Sequence, residues 1–325
     1  MLAPPADILA MQALLDSLAT LHRPDYACRV FHGRGGTLPG CEAWTLDWFD
    51  PVWLFTSFLP VDDADMARLL AALAARWQQI GAGQPLNVLW QTRLDGRSQA
   101  RVDGRSQTRL MAGAVPDPQT VTEDGCRYRV HLASGQNHGL FLDMAEGRRW
   151  VRQQAAARPG MKVLNLFAYT CAFSVVALQA GAGTVINLDM SASALAIGQH
   201  NHRLNGIGSG ASFWPHDLFN SWGKVGRAAP FDLVIVDPPS YQKGSFVAGK
   251  DYPRLLRRLP DLLAPGGQVL LCLNAPEIGP AFLHQAMQAQ APGLAFVLRL
   301  PNPPAFADVS PDRALKVLVW QAPAA

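Results

Sequence analysis

Glycine is missing where a nucleotide-binding sheet most often carries it. Val163–Ser174 reads Val-Leu-Asn-Leu-Phe-Ala-Tyr-Thr-Cys-Ala-Phe-Ser: an apolar run, then a kink of small and polar residues with no glycine, then the start of an amphipathic stretch. That excludes the Gly-x-Gly-x-x-Gly dinucleotide fingerprint. Where glycines do cluster, at Gly33–Gly40, the Gly-Lys-[Ser/Thr] ending of a phosphate loop is absent, so the segment reads as a turn. The five cysteines (Cys28, Cys41, Cys126, Cys171, Cys272) are scattered and never spaced Cys-x-x-Cys, which argues against a disulfide framework or a zinc site. Reduced thiols in a cytoplasmic protein, and no metal, are expected. The longest apolar run, Leu69–Ala75 between Arg68 and Arg76, is far too short to span a bilayer, so no membrane partner is expected. Met1–Leu21 lacks a basic start and carries Asp7 and Asp16, so no secretory signal is expected. Charge of one sign is scarce as well. A net charge of +3 and a pI near 8.7 permit contact with nucleic acid without arguing for it.

What is present is a core. With 325 residues, 49% of them hydrophobic, the chain can bury one large or two moderate domains. Ile8, Met11, Leu14, Leu15, Leu18 and Leu21 recur at helical spacing before Pro24. Cys28–His32, Ala43–Trp48 and Val52–Phe58 read as strands, the last two as a hairpin around Asp50-Pro51. Asp63–Ile80 reads as a helix and Leu86–Gln91 as a strand, so residues 25–135 form a small α+β domain after an N-terminal helix over 1–24. Asp95-Gly-Arg-Ser-Gln-Ala-Arg-Val repeats at once as Asp103-Gly-Arg-Ser-Gln-Thr-Arg-Leu. The resulting Arg93–Arg109 segment reads either as a basic loop touching phosphates or as a solvated duplication with no partner.

From residue 136 to 325, strands alternate with helices. Lys162–Leu166, Thr184–Leu188, Ala211–Trp214, Phe231–Val236 and Gln268–Leu273 are apolar strands, and late strands follow at Phe296–Leu300 and Leu315–Gln321. Asp251–Leu263 reads as a helix and Pro265-Gly-Gly267 as a turn. The fold class is α/β, a doubly wound parallel sheet covered on both faces. Three acids end three successive strands. Asp189 lies about 20 residues past the first turn, where a carboxylate accepts from both hydroxyls of a ribose, though it also suits a cap beside Ser191. Asp217 suits an adenine amino group or a simple loop cap. Asp237-Pro-Pro-Ser-Tyr241 is the sharpest signal. Two prolines force the chain out of the sheet at its carboxyl edge, which fixes the Asp237 carboxylate and the Pro238 carbonyl as acceptors and offers Tyr241 as a stacking face.

Asn165-Leu-Phe-Ala-Tyr-Thr, Asp189-Met-Ser, Asp217 and Asp237-Pro-Pro-Ser-Tyr-Gln-Lys-Gly-Ser-Phe resemble the Rossmann-like class I S-adenosylmethionine (SAM)-dependent methyltransferases. More narrowly, they resemble the bacterial 23S rRNA large-subunit methyltransferase group. The resemblance extends through Gln136-Asn-His-Gly-Leu-Phe-Leu-Asp143 and covers about residues 25–321. Only one helix precedes residue 25, so the group's PUA module is expected to be missing. The resemblance implies SAM as cofactor, its methionine part held by Phe167, Ala168, Tyr169 and Thr170. Asp189 would take the ribose and Asp217 with Leu218 the adenine, and Met190, next to Asp189, would also line the cofactor. Gln136, Asp143 and Arg148 come from the segment that closes over the cofactor, where Arg148 either pairs with the SAM carboxylate or is a solvated helix arginine. Asp237, Pro238 and Tyr241 would be the catalytic set. Cys171-Ala172 stands where the group usually has glycines, which narrows the room for backbone approach.

The expected function is methyl transfer to a base of structured RNA, 23S rRNA first. Cytosine C5 chemistry needs a thiolate, and the position matching the group's cysteine is Ala275. A ring nitrogen or exocyclic amine, which needs orientation alone, is the favoured acceptor. Two readings stay open beside it: a small-molecule or protein acceptor, and a non-catalytic SAM- and RNA-binding assembly factor.

Overall fold

The computed structural model describes residues 6–93, 107–239, 241–242 and 246–325. The Arg-rich repeat expected to form a basic loop therefore lies, apart from its ends, outside the described residues. The chain packs as two compact units, Met1–Leu142 with Pro304–Ser310 and Asp143–Pro303 with Pro311–Ala325. The N-terminal helix and residues 25–135 thus share one unit, which also takes in residues 136–142.

In the first unit, helix α1 (Ala6–Ala19) precedes strands β1 (Cys28–His32), β2 (Trp44–Phe49) and β3 (Val52–Ser57). Helix α2 (Asp63–Ile80) and strands β4 (Asn87–Thr92), β5 (Gln107–Ala112), β6 (Gln119–Glu123) and β7 (Cys126–Val130) follow. Strands β1 to β5 form one sheet in sequence order, antiparallel except for β3 beside β4, which α2 joins as a crossover. Alternation along the strands puts Leu46, Trp48, Trp53 and Phe55 in one core. Met11, Leu14 and Leu18 of α1 and Met66, Leu69, Leu73 and Trp77 of α2, all at helical spacing, close over it. Trp48 and Trp53 meet at 4.5 Å, and Trp77 lies 5.3 Å and 5.8 Å from them. Asp62 caps α2 by accepting from Asp65 N at 2.7 Å, worth about 1 kcal/mol. The glycine-rich turn is explained by close packing. A Cβ on Gly33 would sit 1.7 Å from Cys41 O, and one on Gly35 1.8 Å from Ala307 O.

The second unit begins with α3 (Ala145–Ala157), β8 (Lys162–Leu166), α4 (Ala172–Gln179), β9 (Thr184–Asp189) and α5 (Ala192–Leu204). Next come β10 (Ala211–Pro215), α6 (Trp222–Ala228), β11 (Phe231–Val236), β12 (Tyr241–Gln242), β13 (Phe246–Val247), α7 (Ala248–Leu256) and α8 (Leu259–Leu262). It ends with β14 (Leu263–Leu273), α9 (Ala281–Gln290), β15 (Ala295–Leu300) and β16 (Lys316–Gln321). Seven strands form the sheet in the order β10-β9-β8-β11-β14-β16-β15. The first five are parallel, as the apolar runs predict, while β16 and β15 pair antiparallel. Strand order reverses between β8 and β11, and that is where the crevice of a doubly wound sheet opens.

The expected helix over 251–263 divides into α7 and α8, and Leu263 already belongs to β14. The Pro265-Gly-Gly267 segment is a kink inside β14. There the register against β11 slips between Phe231 and Leu233, Gly266 takes φ +69°, and a Cβ on Gly267 would lie 2.9 Å from Phe231 O. Among the described residues no helix is long and apolar enough to cross a membrane, and no group of His, Cys, Asp and Glu could hold a metal ion.

Gly33→Ala is expected to destabilise the protein by about 3 kcal/mol, the upper end for overpacking, because the added methyl meets backbone that no rotamer can move aside. Urea titration of variant and wild type would measure the loss. An unchanged midpoint would mean that the Gly33–Cys41 approach is not needed.

Candidate functional site

The site begins at the end of β8. Leu164 and Leu166 are fully buried, so the chain leaves the sheet at a fixed point and must turn within five residues to start α4. It does so through three non-glycine residues in the left-handed region: Phe167 at φ +56°, Tyr169 at +46° and Cys171 at +62°. Such conformations cost of order 1 kcal/mol or more each, and clusters of them mark functional turns. Alternating them curls the backbone tightly. Ala168 N donates to Leu188 O at 3.1 Å and Cys171 N to Ala168 O at 2.7 Å. The Cys171 side chain is buried against α5, where Gly198 makes the room: a Cβ there would lie 2.4 Å from Cys171 Sγ. The cysteine in a position expected to need glycine is thus matched by a glycine on the facing helix.

Asp189 holds this turn from outside. Its Oδ2 accepts from Tyr169 N and its Oδ1 from Ser191 N, both at 2.8 Å. Ser191 then caps α5 by accepting from Ala194 N at 3.1 Å. A carboxylate has about four lone-pair sites, so two remain for hydroxyl donors. The capping and the ribose readings of Asp189 are therefore compatible. Beneath the turn runs a buried polar chain. Asn165 Nδ2 donates to Asn187 Oδ1 (2.9 Å), Asn187 Nδ2 to Ser174 Oγ (3.0 Å), and Ser174 Oγ pairs with His202 Nε2 (2.8 Å). His202 Nδ1 meets Gly198 O at 2.7 Å. A carbonyl only accepts, so the proton of neutral His202 is on Nδ1, and Nε2 accepts from the Ser174 hydroxyl. Every bond in the chain then has one direction. Burial lowers the His202 pKa, which keeps the ring neutral.

Asp217 follows β10. Its Oδ1 accepts from Phe219 N (2.7 Å) and its Oδ2 from Asn220 Nδ2 (2.9 Å), which fixes the carboxylate. Leu218 turns its side chain into the core, leaving only its backbone to face a ligand. Asp237 ends β11 half-buried. Burial, with Asp143 beside it, raises its carboxyl to about 7, against a smaller downward pull from the Cys272 thiol and Arg148. Cys272 bonds to Asp237, and burial pushes that thiol well above the ordinary cysteine value. The Tyr252 hydroxyl donates in turn to Cys272 O. Phe246, directly after the acceptor segment, packs edge-on against Phe167 (5.3 Å) and Tyr252 (5.1 Å), tying the Asp237 exit to the left-handed turn.

Of the expected residues, the second unit contains Phe167, Ala168, Tyr169, Thr170, Asp189, Met190, Asp217, Leu218, Asp237, Pro238, Asp143 and Arg148. Arg148 is 3% exposed, so it is not the solvated helix arginine that was one of its two readings. Met190 is 55% exposed beside Asp189, an apolar side chain left uncovered. Tyr241 opens β12 and pairs with Val247, but its side chain, like Ser240, lies outside the described residues. Gln136 belongs to the first unit, where Arg93 donates to its carbonyl. Sequence reasoning missed three residues. Cys272 stands out in the sequence only as one of five scattered thiols. Phe246 is only the last residue of the Asp237 motif in the sequence. Lys316, fully buried, donates from Nζ to Ala275 O (2.6 Å), Ile278 O (2.9 Å) and Asp312 O (3.2 Å), fixing the segment after β14. A lysine at the start of an apolar strand was the one available signal.

The family model for S-adenosylmethionine-dependent methyltransferases matches residues 28–321. A "Ribosomal RNA large subunit methyltransferase I" of Aeromonas salmonicida is 31% identical over 56% of this chain and 46% of its own length. A "Ribosomal RNA large subunit methyltransferase K/L" of Hahella chejuensis is 33% identical over 48% of this chain and 22% of its own. The chain thus matches less than half the length of these relatives. Among solved structures, a putative SAM-dependent methyltransferase from Streptococcus mutans superposes with a TM-score of 0.77 at 21% identity, covering 99% of this chain and 83% of that one.

Three outcomes are expected. An unfolded histidine takes up a proton near pH 6.5 while folded His202 resists it, so stability falls as pH drops below 6.5 until the folded ring protonates. Ser174→Ala leaves His202 Nε2 without its donor and takes away one of the two acceptors of Asn187 Nδ2, the other being Ser212 O at 3.3 Å, and should cost about 1–3 kcal/mol in denaturant melts. Cys272→Ala removes a donor to Asp237 and is expected to raise that carboxyl above about 7, whereas Cys272→Ser keeps it close. Carbon-13 carboxyl NMR titration would report both, and a Cys272→Ala value at or below wild type would exclude the thiol as a partner.

Proposed function

Because the chain belongs to the S-adenosylmethionine-dependent methyltransferases, we propose that it methylates a nitrogen of a base in structured RNA, with 23S rRNA first among substrates. The observation that carries this reading is Asp237, a half-buried carboxyl held near pKa 7 at the rim of the crevice. An amine or imino nitrogen that gains a methyl sheds its N–H proton to reach a neutral product. A carboxylate with a pKa near the working pH is suited to accept it.

The donor set fits the cofactor. Asp189, anchored by two backbone donors, keeps lone pairs for the two ribose hydroxyls. The tightly curled turn at Phe167–Thr170 offers backbone to the methionine part, Met190 an exposed apolar face to the adenine side, and Asp217 an acceptor for its amino group. Arg148, buried and cationic, offsets the two acids Asp143 and Asp237. When bound, the cofactor supplies an electrophilic methyl on a sulfonium. The chain then has to orient the acceptor nitrogen, exclude water and take the proton at the Asp237 carboxylate. The Pro238 carbonyl, fixed by the two-proline exit, is a second acceptor for an amine.

Support for nitrogen over cytosine C5 comes from the thiols. Burial pushes Cys171 and Cys272 well above the usual range, and Ala275 is a buried methyl. Neither cysteine is poised as a nucleophile. Support for RNA comes from the two curated relatives, whose names describe rRNA methyltransferases.

Purified protein incubated with methyl-labelled SAM and unmodified 23S rRNA should place label in one methylated nucleoside. The rate should rise with pH through about 7 as Asp237 loses its proton. Asp237→Ala should lower transfer by roughly 10²–10⁴-fold while leaving SAM binding within about twofold. Label in 5-methylcytidine would refute the nitrogen assignment, and SAM binding with no label in RNA would refute the RNA acceptor.

A further inference from the structure

The first unit carries a polar site that methyl transfer does not use. Strand register places His32, Thr45, Thr56, Gln91 and Thr108 in one row across all five strands of its sheet. A buried row on a covered sheet is ordinarily apolar, yet Thr45, Thr56 and Gln91 are 1%, 4% and 0% exposed. Arg29 and Asp47 pair in the adjacent row through two bonds, of 2.7 Å and 3.0 Å. At the far end of the row, Arg93 Nε donates to Gln91 Oε1 at 2.6 Å, and its Nη2 lies 3.3 Å from His138 Nε2. Arg34, exposed, stacks its guanidinium 3.8 Å from the Phe58 ring centroid. Arg29 likewise sits 4.6 Å from the centre of Phe306, which His32 also faces at 5.2 Å.

Two features of this row are not explained by folding. The first is crowding of like charge. Arg93 feels both Arg29 and Arg34, with Asp47 as the opposing carboxylate, and Asp308 adds a second only toward His32. Burial and the nearby guanidiniums push His32 and His138 down to about 4, so neither ring is a cation near neutral pH. The second is a donor with no acceptor. Arg29 Nη1 lies 2.9 Å from His32 Nδ1, and a guanidinium only donates, so Nδ1 accepts and the ring proton is on Nε2. That Nε2–H has no hydrogen-bond partner among the described residues, although the ring is half-buried. A half-buried donor flanked by guanidiniums is built for an anionic oxygen.

We propose that His32, Arg29, Arg34 and Arg93 form a docking site for a phosphodiester group of the acceptor RNA. His32 Nε2–H and the planar guanidiniums are the recognition elements. Phosphate is the chemistry that suits them, since its oxygens accept from several donors and its charge relieves the crowding. The inference rests on the RNA reading of the second unit and adds where the first unit holds that substrate.

The test has two arms on the full chain. In the first, inorganic phosphate is titrated against histidine Cε1–H NMR signals. The His32 pKa is expected to climb from about 4 as phosphate binds, and Arg34→Gln should weaken that response about tenfold. In the second, a 23S rRNA fragment that accepts label is bound at several salt concentrations. Arg34→Gln and Arg93→Gln should each weaken binding by roughly tenfold and reduce the salt slope by about one, and Arg34→Gln should do so with unchanged kcat at saturating RNA and unchanged SAM binding. Melting curves at wild-type midpoints certify the variants as folded. Methyl transfer to RNA with wild-type affinity and slope in both variants would overturn the docking site while leaving the methyltransferase reading intact. A His32 response to phosphate in a protein with no affinity for RNA would overturn RNA as the occupant.

Discussion

Polar atoms inside an apolar sheet must all be paired, and in this protein that requirement shapes the site. Asn165 and Asn187 sit at matched positions on neighbouring parallel strands, 1% and 0% exposed. Two amides buried there would be costly unless each donor found an acceptor. They find them in one another, in Ser174 of α4 and through it in His202 of α5. Helix α4 cannot rotate without breaking the chain, so the turn that starts it is fixed. Asp189 closes the arrangement by taking Tyr169 N and Ser191 N together, which locks the ends of two strands to each other.

Much of this was readable beforehand, for physical reasons. The apolar runs of β8, β9 and β11 are too short and too rich in Val, Ile and Leu to be anything but buried strands, and they run almost residue for residue as expected. The same logic located Asp189, Asp217 and Asp237, because an acid is costly amid a buried apolar run and so tends to mark its end. What was hidden is what depends on partners distant in sequence. Cys272 looks like any core thiol until β14 lies beside β11 and brings it to Asp237. Arg148 is one of several arginines on α3, and only packing shows which is buried. The polar row of the first unit is spread over residues 32 to 108 and becomes a row only through register. The two antiparallel strands β15 and β16 were seen as strands without their direction, since nothing in an apolar run specifies which way its neighbour points.

The two units treat charge differently. In the second, Asp143, Asp237 and Arg148 share one small volume, and the balance leaves one carboxyl near neutrality, the condition a proton acceptor needs. In the first, guanidiniums gather around neutral imidazoles, the condition an anion site needs. Neither arrangement is favoured by folding alone. Each keeps groups in states that water would change, and such places are where function is sought.

The left-handed turn at Phe167–Cys171 also bears on what happens before any ligand arrives. Glycine would fit those three angles without strain, but a glycine loop is free to wander among many shapes when empty and must give up that freedom on binding. Residues with a Cβ have fewer shapes to lose. With Asp189 and Gly198 holding it from either side, the loop meets its ligand already in its bound outline, and the ordering cost is moved from the moment of encounter to the moment of folding.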